Sequence, residues 1–129
     1  LRTPSSALVA LLSGNAGVSA IVANRIFVGR VQQAVDYPCI VIVPVSGRSE
    51  EDLTSVGGQH SYRVTVEARS ESSLQADLLG AAICAALDDY TGPSAGLSID
   101  RIRRASEAFL DDQASKIFRR AIDFHVYFA

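Results

Sequence analysis

A chain of 129 residues with 48% hydrophobic and 20% charged side chains has room for one core rather than two domains, and is too apolar for disorder. Twelve Lys and Arg against fourteen Asp and Glu leave a formal charge of −2, which provides no general attraction for phosphate. This argues against a dedicated grip on nucleic acid, but not against DNA passing nearby. No apolar run approaches the ~18 residues of a membrane span, and no basic segment followed by an apolar stretch marks a signal peptide.

In chain order, TPSSALVALLSG has Thr3 as N-cap, Pro4 at the first helical position and Gly14 as stop, with Leu8, Leu11 and Leu12 at helical spacing. A further helical turn is expected around Val18 to Ala23, then a short strand from Arg25 to Val28. DYPCIVIVPVSG, residues 36–47, reads as a buried strand despite Pro38 and Pro44. Both prolines are even-numbered, so their missing donors fall on one edge, where only Ile40 and Ile42 can still donate. That pattern predicts an outer strand whose intact edge pairs inward, with Ile40, Ile42 and Pro44 as candidate subunit-interface residues. Its two apolar faces both need cover, one from helices of the same chain and the other from a curling hairpin, a neighbouring subunit or a second helix.

The segment 48–58, RSEEDLTSVGG, is the least ordered by composition. HSYRVTVEAR alternates strictly, placing His60, Tyr62, Val64, Val66 and Ala68 on one face and Arg63, Thr65, Glu67 and Arg69 on a wet one. The longest helix follows, with Ser72 and Gln75 at capping-box spacing. Its apolar positions, Leu79 and Ile83 on one side and Leu74, Leu78, Ala81 and Ala85 on another, predict cover on more than one side. The last third reads as a long hairpin with a bulge near Asp100 or Arg101, and with Phe118, Ile122, Phe124, Val126 and Phe128 on one face. The expected fold is α+β: an antiparallel sheet of four to five strands against two helices, in the order α-β-β-β-α-β-β, forming a single domain over residues 1–129.

Chemistry is poorly supported. His60 and His125 lack carboxylates or cysteines at ligand spacing, so no metal or cofactor is expected. Cys39 and Cys84 sit among Ile, Val and Ala, which suits small buried side chains; a disulfide between them stays open on sequence alone. The acidic pairs Asp88-Asp89 and Asp111-Asp112 fall at predicted element ends, where solvated carboxylates are the ordinary outcome. For Arg103-Arg104 and Arg119-Arg120, a neighbour's carboxylates or solvent are favoured over phosphate. GxSxG, GxxxxGK[ST], HExxH and GxGxxG are all absent, so no catalytic residues are assigned.

The succession ALVALLSGNAGVSAIVANRIF, YPCIVIVPVSG, YRVTVEARSESSLQADLLGAAICAAL and FRRAIDFHVYF resembles the bacteriophage tail-completion family, also called tail terminators or head-to-tail joining proteins, over Ala7 to Phe128. Each piece alone is degenerate; the order and spacing carry the likeness. The resemblance implies a structural virion protein, assembled in the host cytoplasm. It would form a homo-oligomeric ring, typically a hexamer, on the head-proximal end of the tail tube. Its implied partners are the major tail tube protein and a head-completion or connector protein, with genome DNA passing through the lumen without specific binding and no membrane involved. On that footing Arg63, Thr65, Glu67 and Arg69 are candidate lumen lining, and Arg48, Glu50, Glu51 and Asp52 belong to a candidate axial contact loop. Two other readings remain at this point, another neck or tail ring of the virion, and a small oligomeric α+β binding domain of a cell.

Overall fold

Local capping sets the helices. In the computed structural model, which describes residues 3–29, 36–49, 60–112 and 114–128, α1 spans Pro4–Ser13. Thr3 Oγ1 accepts from Ser6 N at 3.0 Å, Pro4 takes the first helical position and Gly14 caps the end. Asn15 caps α2, Ala16–Val22, by accepting from Val18 N at 3.1 Å. Ser72 caps α3, Ser73–Leu87, through Gln75 N. The return half of that capping box is relayed: Ser70 Oγ donates to Gln75 Oε1 at 2.7 Å and accepts from Ser72 N at 3.1 Å.

The strands are β1 (Ile26–Val28), β2 (Cys39–Ser49), β3 (His60–Ser70), β4 (Gly92–Ser94), β5 (Leu97–Asp112) and β6 (Ile117–Phe128), hydrogen-bonded in the order β1-β2-β3-β6-β5-β4. The expected α+β class holds. Its details are corrected: six strands rather than four to five, three helices rather than two, and the order α-α-β-β-β-α-β-β-β among the described residues. The unexpected β4 has three residues including a proline, too few for any alternation. It turns into β5 through Ala95 and Gly96, with φ of +48° and +84°. Two positive φ values are what a two-residue hairpin turn requires.

All three helices contribute to the core on one face of the sheet. Leu8 and Leu12 of α1, Val18 and Val22 of α2, and Leu79, Ile83 and Leu87 of α3 meet Ile40 and Ile42, Val64 and Val66, and Ile122, Phe124 and Val126. The alternation read in β3 and β6 is the one observed, because residues paired across the ladder share a face: Val66 stands opposite Ile42 and Ile122. The register breaks between Ile99 and Arg101, at the expected bulge, and again between Arg104 and Ser106, which was not expected.

The outer-strand reading of β2 is corrected. β1 lies outside it, parallel, with Ile26 opposite Ile40 and Val28 opposite Ile42. The parity argument nevertheless locates β1: Ile40 N donates to Arg25 O at 2.9 Å on the even-numbered edge, leaving the odd edge for β3. Beyond Ile42 β1 stops, and a bulge between Pro44 and Ser46 bends β2 where Pro44 removes a donor.

Candidate assembly surfaces

The polar face of the sheet is built from alternate residues of β3, β6 and β5. Arg63, Thr65, Glu67 and Arg69 all project from it, opposite the helices, as the alternation requires. Asp123, which sequence reading passed over, organises its centre. Its carboxylate accepts from Thr65 Oγ1 at 2.6 Å, Arg63 Nη2 at 3.1 Å and Ser106 Oγ at 3.1 Å. The Thr65 hydrogen bond foremost, with Arg63 and Ser106, holds this carboxyl below the usual carboxylate range against the opposing effect of burial. Glu67 and Arg69 form a second pair at 2.9 Å.

A depressed folded-state pKa contributes stability that is present above the unfolded value of about 3.9 and is lost as pH falls through the folded value. Asp123→Asn is therefore expected to lower stability at pH 7 and to flatten the acid limb below about pH 4. Urea denaturation of both proteins across pH 2–7 checks this.

The four lining candidates nearly balance one another, and two further cations share their face. Arg103 and Arg119, opposite His125 and Arg69 in the register, have no carboxylate partner among the described residues.

On the helix side a groove of about 490 Å³ runs between α3 and β5, walled by Asp77, Gly80, Ala81 and Cys84 on one side and by Glu107 and Phe109 on the other. Arg120 forms its floor and is only 8% exposed. Its guanidinium donates to Asp77, to Asp111 Oδ1 at 2.9 Å and to Ser73 Oγ at 3.1 Å, while its Cζ lies 4.8 Å from the Phe109 ring centroid. Gly80 lies against its stem, where a Cβ would stand 3.6 Å from Arg120 Cβ, an ordinary contact distance. The sequence carried a signal for this site. Arg120 interrupts the apolar series Phe118, Ile122, Phe124 on one strand face, and a cation at such a position needs carboxylates nearby.

The acidic pairs are accordingly not merely solvated. Asp88 lies 4.0 Å from Arg104, Asp89 lies 3.2 Å from Arg101, and Asp111 holds Arg120. Cys39 and Cys84 are free thiols. Cys84 Sγ sits 3.7 Å from Glu107 Oε1, and burial pushes its pKa up despite Arg104, which is the opposite of what a nucleophile needs. His60 stacks on Phe128 at 5.2 Å and His125 on Tyr127 at 6.3 Å.

Burial separates the three interface candidates. Ile40 and Ile42 are 0% exposed within one chain because the helices cover them, so their side chains are not offered to a neighbour. Cys39 and Val41, on the opposite face, are also covered within the chain. Pro44 is exposed beside Val45. Of the loop candidates, Arg48 belongs by its backbone to β2, opposite Ser61, while Glu50, Glu51 and Asp52 lie outside the described residues. Sequence reading expected cover over Leu74, Leu78, Ala81 and Ala85, yet this face of α3 is exposed in the single chain.

The described residues form an α+β fold with one polar sheet face and a helix-covered apolar one. This fold is similar to that of a chain in the solved structure titled "Virion of native gene transfer agent (GTA) particle", with a TM-score of 0.76 over 97% of this chain and 93% of that one, at 14% identity. A comparison with curated proteins finds no match. The family model described as "Tail completion protein gp17" matches residues 6–129. The chain belongs to this tail-completion family of bacteriophage structural virion proteins.

Proposed function

We propose that copies of this chain close into a ring, six in number, at the head-proximal end of a tail tube. There the ring stops tube growth and joins the tail to the head through a head-completion or connector protein. The observation that carries this reading is the family match across residues 6–129. Physically, termination requires a ring with one face complementary to the tube end and no second such face, so that addition stops after one layer.

The polar sheet face is the lumen surface in this reading, with Arg63, Thr65, Glu67 and Arg69 exposed to water and DNA. The pairing of Arg63 with Asp123 and of Arg69 with Glu67 supports it, because a charge already engaged holds a passing phosphate weakly. Arg103 and Arg119 add a modest positive field. The loop containing Glu50, Glu51 and Asp52 is the axial contact, with Arg48 at its root.

Electron microscopy of the purified protein should show rings, and a phage lacking the gene should accumulate tails of irregular length that do not join heads. Deleting residues 50–57, which begins where β2 ends, should leave rings intact while tails overgrow or stay unjoined. Normal virions from that deletion would overturn the loop's assignment, and tails of normal length without the protein would overturn the function.

A further inference from the structure

Among the described residues Leu110 stands exposed on the polar sheet face opposite Arg119, and the other five exposed large apolar side chains fall into two groups, one on α3 and β5 and one at the β1–β2 edge. Leu74 and Leu78, 69% and 57% exposed, lie at helical spacing from Ala81 on α3, and Ala81 lines the groove whose far wall carries Phe109, 66% exposed. Ala81 links the helix stripe to the groove, and Ala85 extends it. At the other end of the strand order, Val28 and Val45 are 46% and 52% exposed, Val45 following Pro44 at the register break of β2, where β1 has stopped covering it. Because Val28 pairs with Ile42, it shares a face with Pro44 two residues on.

We propose that the α3–β5 groove receives the β1–β2 edge, around Val28, Pro44 and Val45, of a second copy of this chain, so that copies join head to tail. The proposal rests on the ring reading and says which surfaces make the ring. The two edges are not paired with each other in this chain, and two different patches on one chain define a heterologous contact, which closes when the rotation per copy permits.

Area and charge favour a second copy as occupant. Leu74, Leu78 and Phe109 expose on the order of 400 Å² of apolar surface, about the apolar share of the ~800 Å² per partner that a stable interface takes. The rim of the groove has excess acid: Asp77 and Asp111 share Arg120, and Asp88 and Glu107 share Arg104. The β1 edge offers Arg25, whose guanidinium reaches the carbonyls of Pro38 and Ile21 and has no carboxylate partner among the described residues. The excess of acid on the groove rim disfavours two grooves meeting each other, which leaves the apolar β1–β2 edge as the complementary patch.

The test uses two neutral double variants, Leu74→Gln/Leu78→Gln and Val28→Gln/Val45→Gln, each confined to exposed positions. Circular dichroism and thermal melting confirm the fold, and sedimentation analysis up to millimolar concentration reads the mass. Each variant alone should self-associate at least about tenfold more weakly than the wild type. Mixed in equal amounts, the two should form a species of twice the 13.7 kDa chain mass that grows no further, because each brings one intact patch. Wild-type rings that persist in both variants, or a mixture that stays monomeric while the wild type assembles, would overturn this pairing and leave the ring reading standing. A wild type that remains monomeric throughout would remove the ring reading and the pairing together.

Discussion

Replacing Phe124 by alanine is expected to destabilise the fold by about 3–5 kcal/mol. Phe124 has no exposed surface and lies on β6 between Val64 of β3 and the β5 strand, beneath the helix layer. The loss combines the transfer free energy of the ring with a cavity that three helices and a sheet cannot collapse to fill. Since domains of this size are stable by about 5–15 kcal/mol, the variant should sit near the edge of folding and melt well over 10 °C lower. Urea denaturation should show a lower midpoint with an unchanged slope. Phe109→Ala, on the same hairpin and 66% exposed, is the control, losing at most about 1 kcal/mol with its contact to Arg120.

Arg120→Met should cost about 1–3 kcal/mol, less than the 3–5 kcal/mol of breaking a fully buried pair. The reason is that Asp77 and Asp111, with side chains 52% and 45% exposed, regain water when the guanidinium leaves. Methionine fills the space over Gly80 but leaves two carboxylates facing each other across the groove. Adding Asp77→Asn and Asp111→Asn to the Arg120→Met background should therefore recover part of the loss, and the double-mutant cycles measure the coupling. Arg120→Lys should recover little, because one ammonium cannot reach both carboxylates and Ser73 with a planar fork. If all three variants equal the wild type in stability, the cluster is ornamental to folding.

Most of the local structure was legible because it depends on neighbours in sequence. Thr3-Pro4 and Ser72 announce their helices through the donors left open at a first turn. The alternation from Tyr62 to Ala68 declares a strand with one wet face before any partner is known. The two prolines of β2 predicted which edge was impaired, and Ile40 does make its contact to β1 on that edge. What parity could not say is that a three-residue parallel strand would fill the intact part of it. Such a strand is too short for a periodic signal, and a parallel pairing is not announced by a turn.

The candidate surfaces were legible by type and not by place. From residues alone, the lining set on β3 was assigned to the polar face, and there the structure puts it; whether that face turns toward a lumen is a matter of the assembly. The proline-impaired edge made Ile40 and Ile42 interface candidates, and in the single chain their side chains are buried under the helices. The stripe Leu74, Leu78, Ala81, Ala85 was expected to be covered and is open. Both outcomes have one cause: the sequence states how much apolar surface must be covered, while which element of the single chain covers it depends on where the helices land on the sheet.

Composition, caps and periodicity by themselves determined an α+β fold with a polar sheet face and a long bulged hairpin, and the succession of segments pointed to the tail-completion family. Tertiary structure alone decided that Arg120 shares its charge between α3 and β5, that Asp123 knits three strands, and that one apolar patch lies across α3 and β5 while another lies at the β1–β2 edge. Local rules reach only a few residues along the chain, whereas Asp77 and Arg120 are 43 residues apart, and their meeting is decided only when the whole sheet has formed.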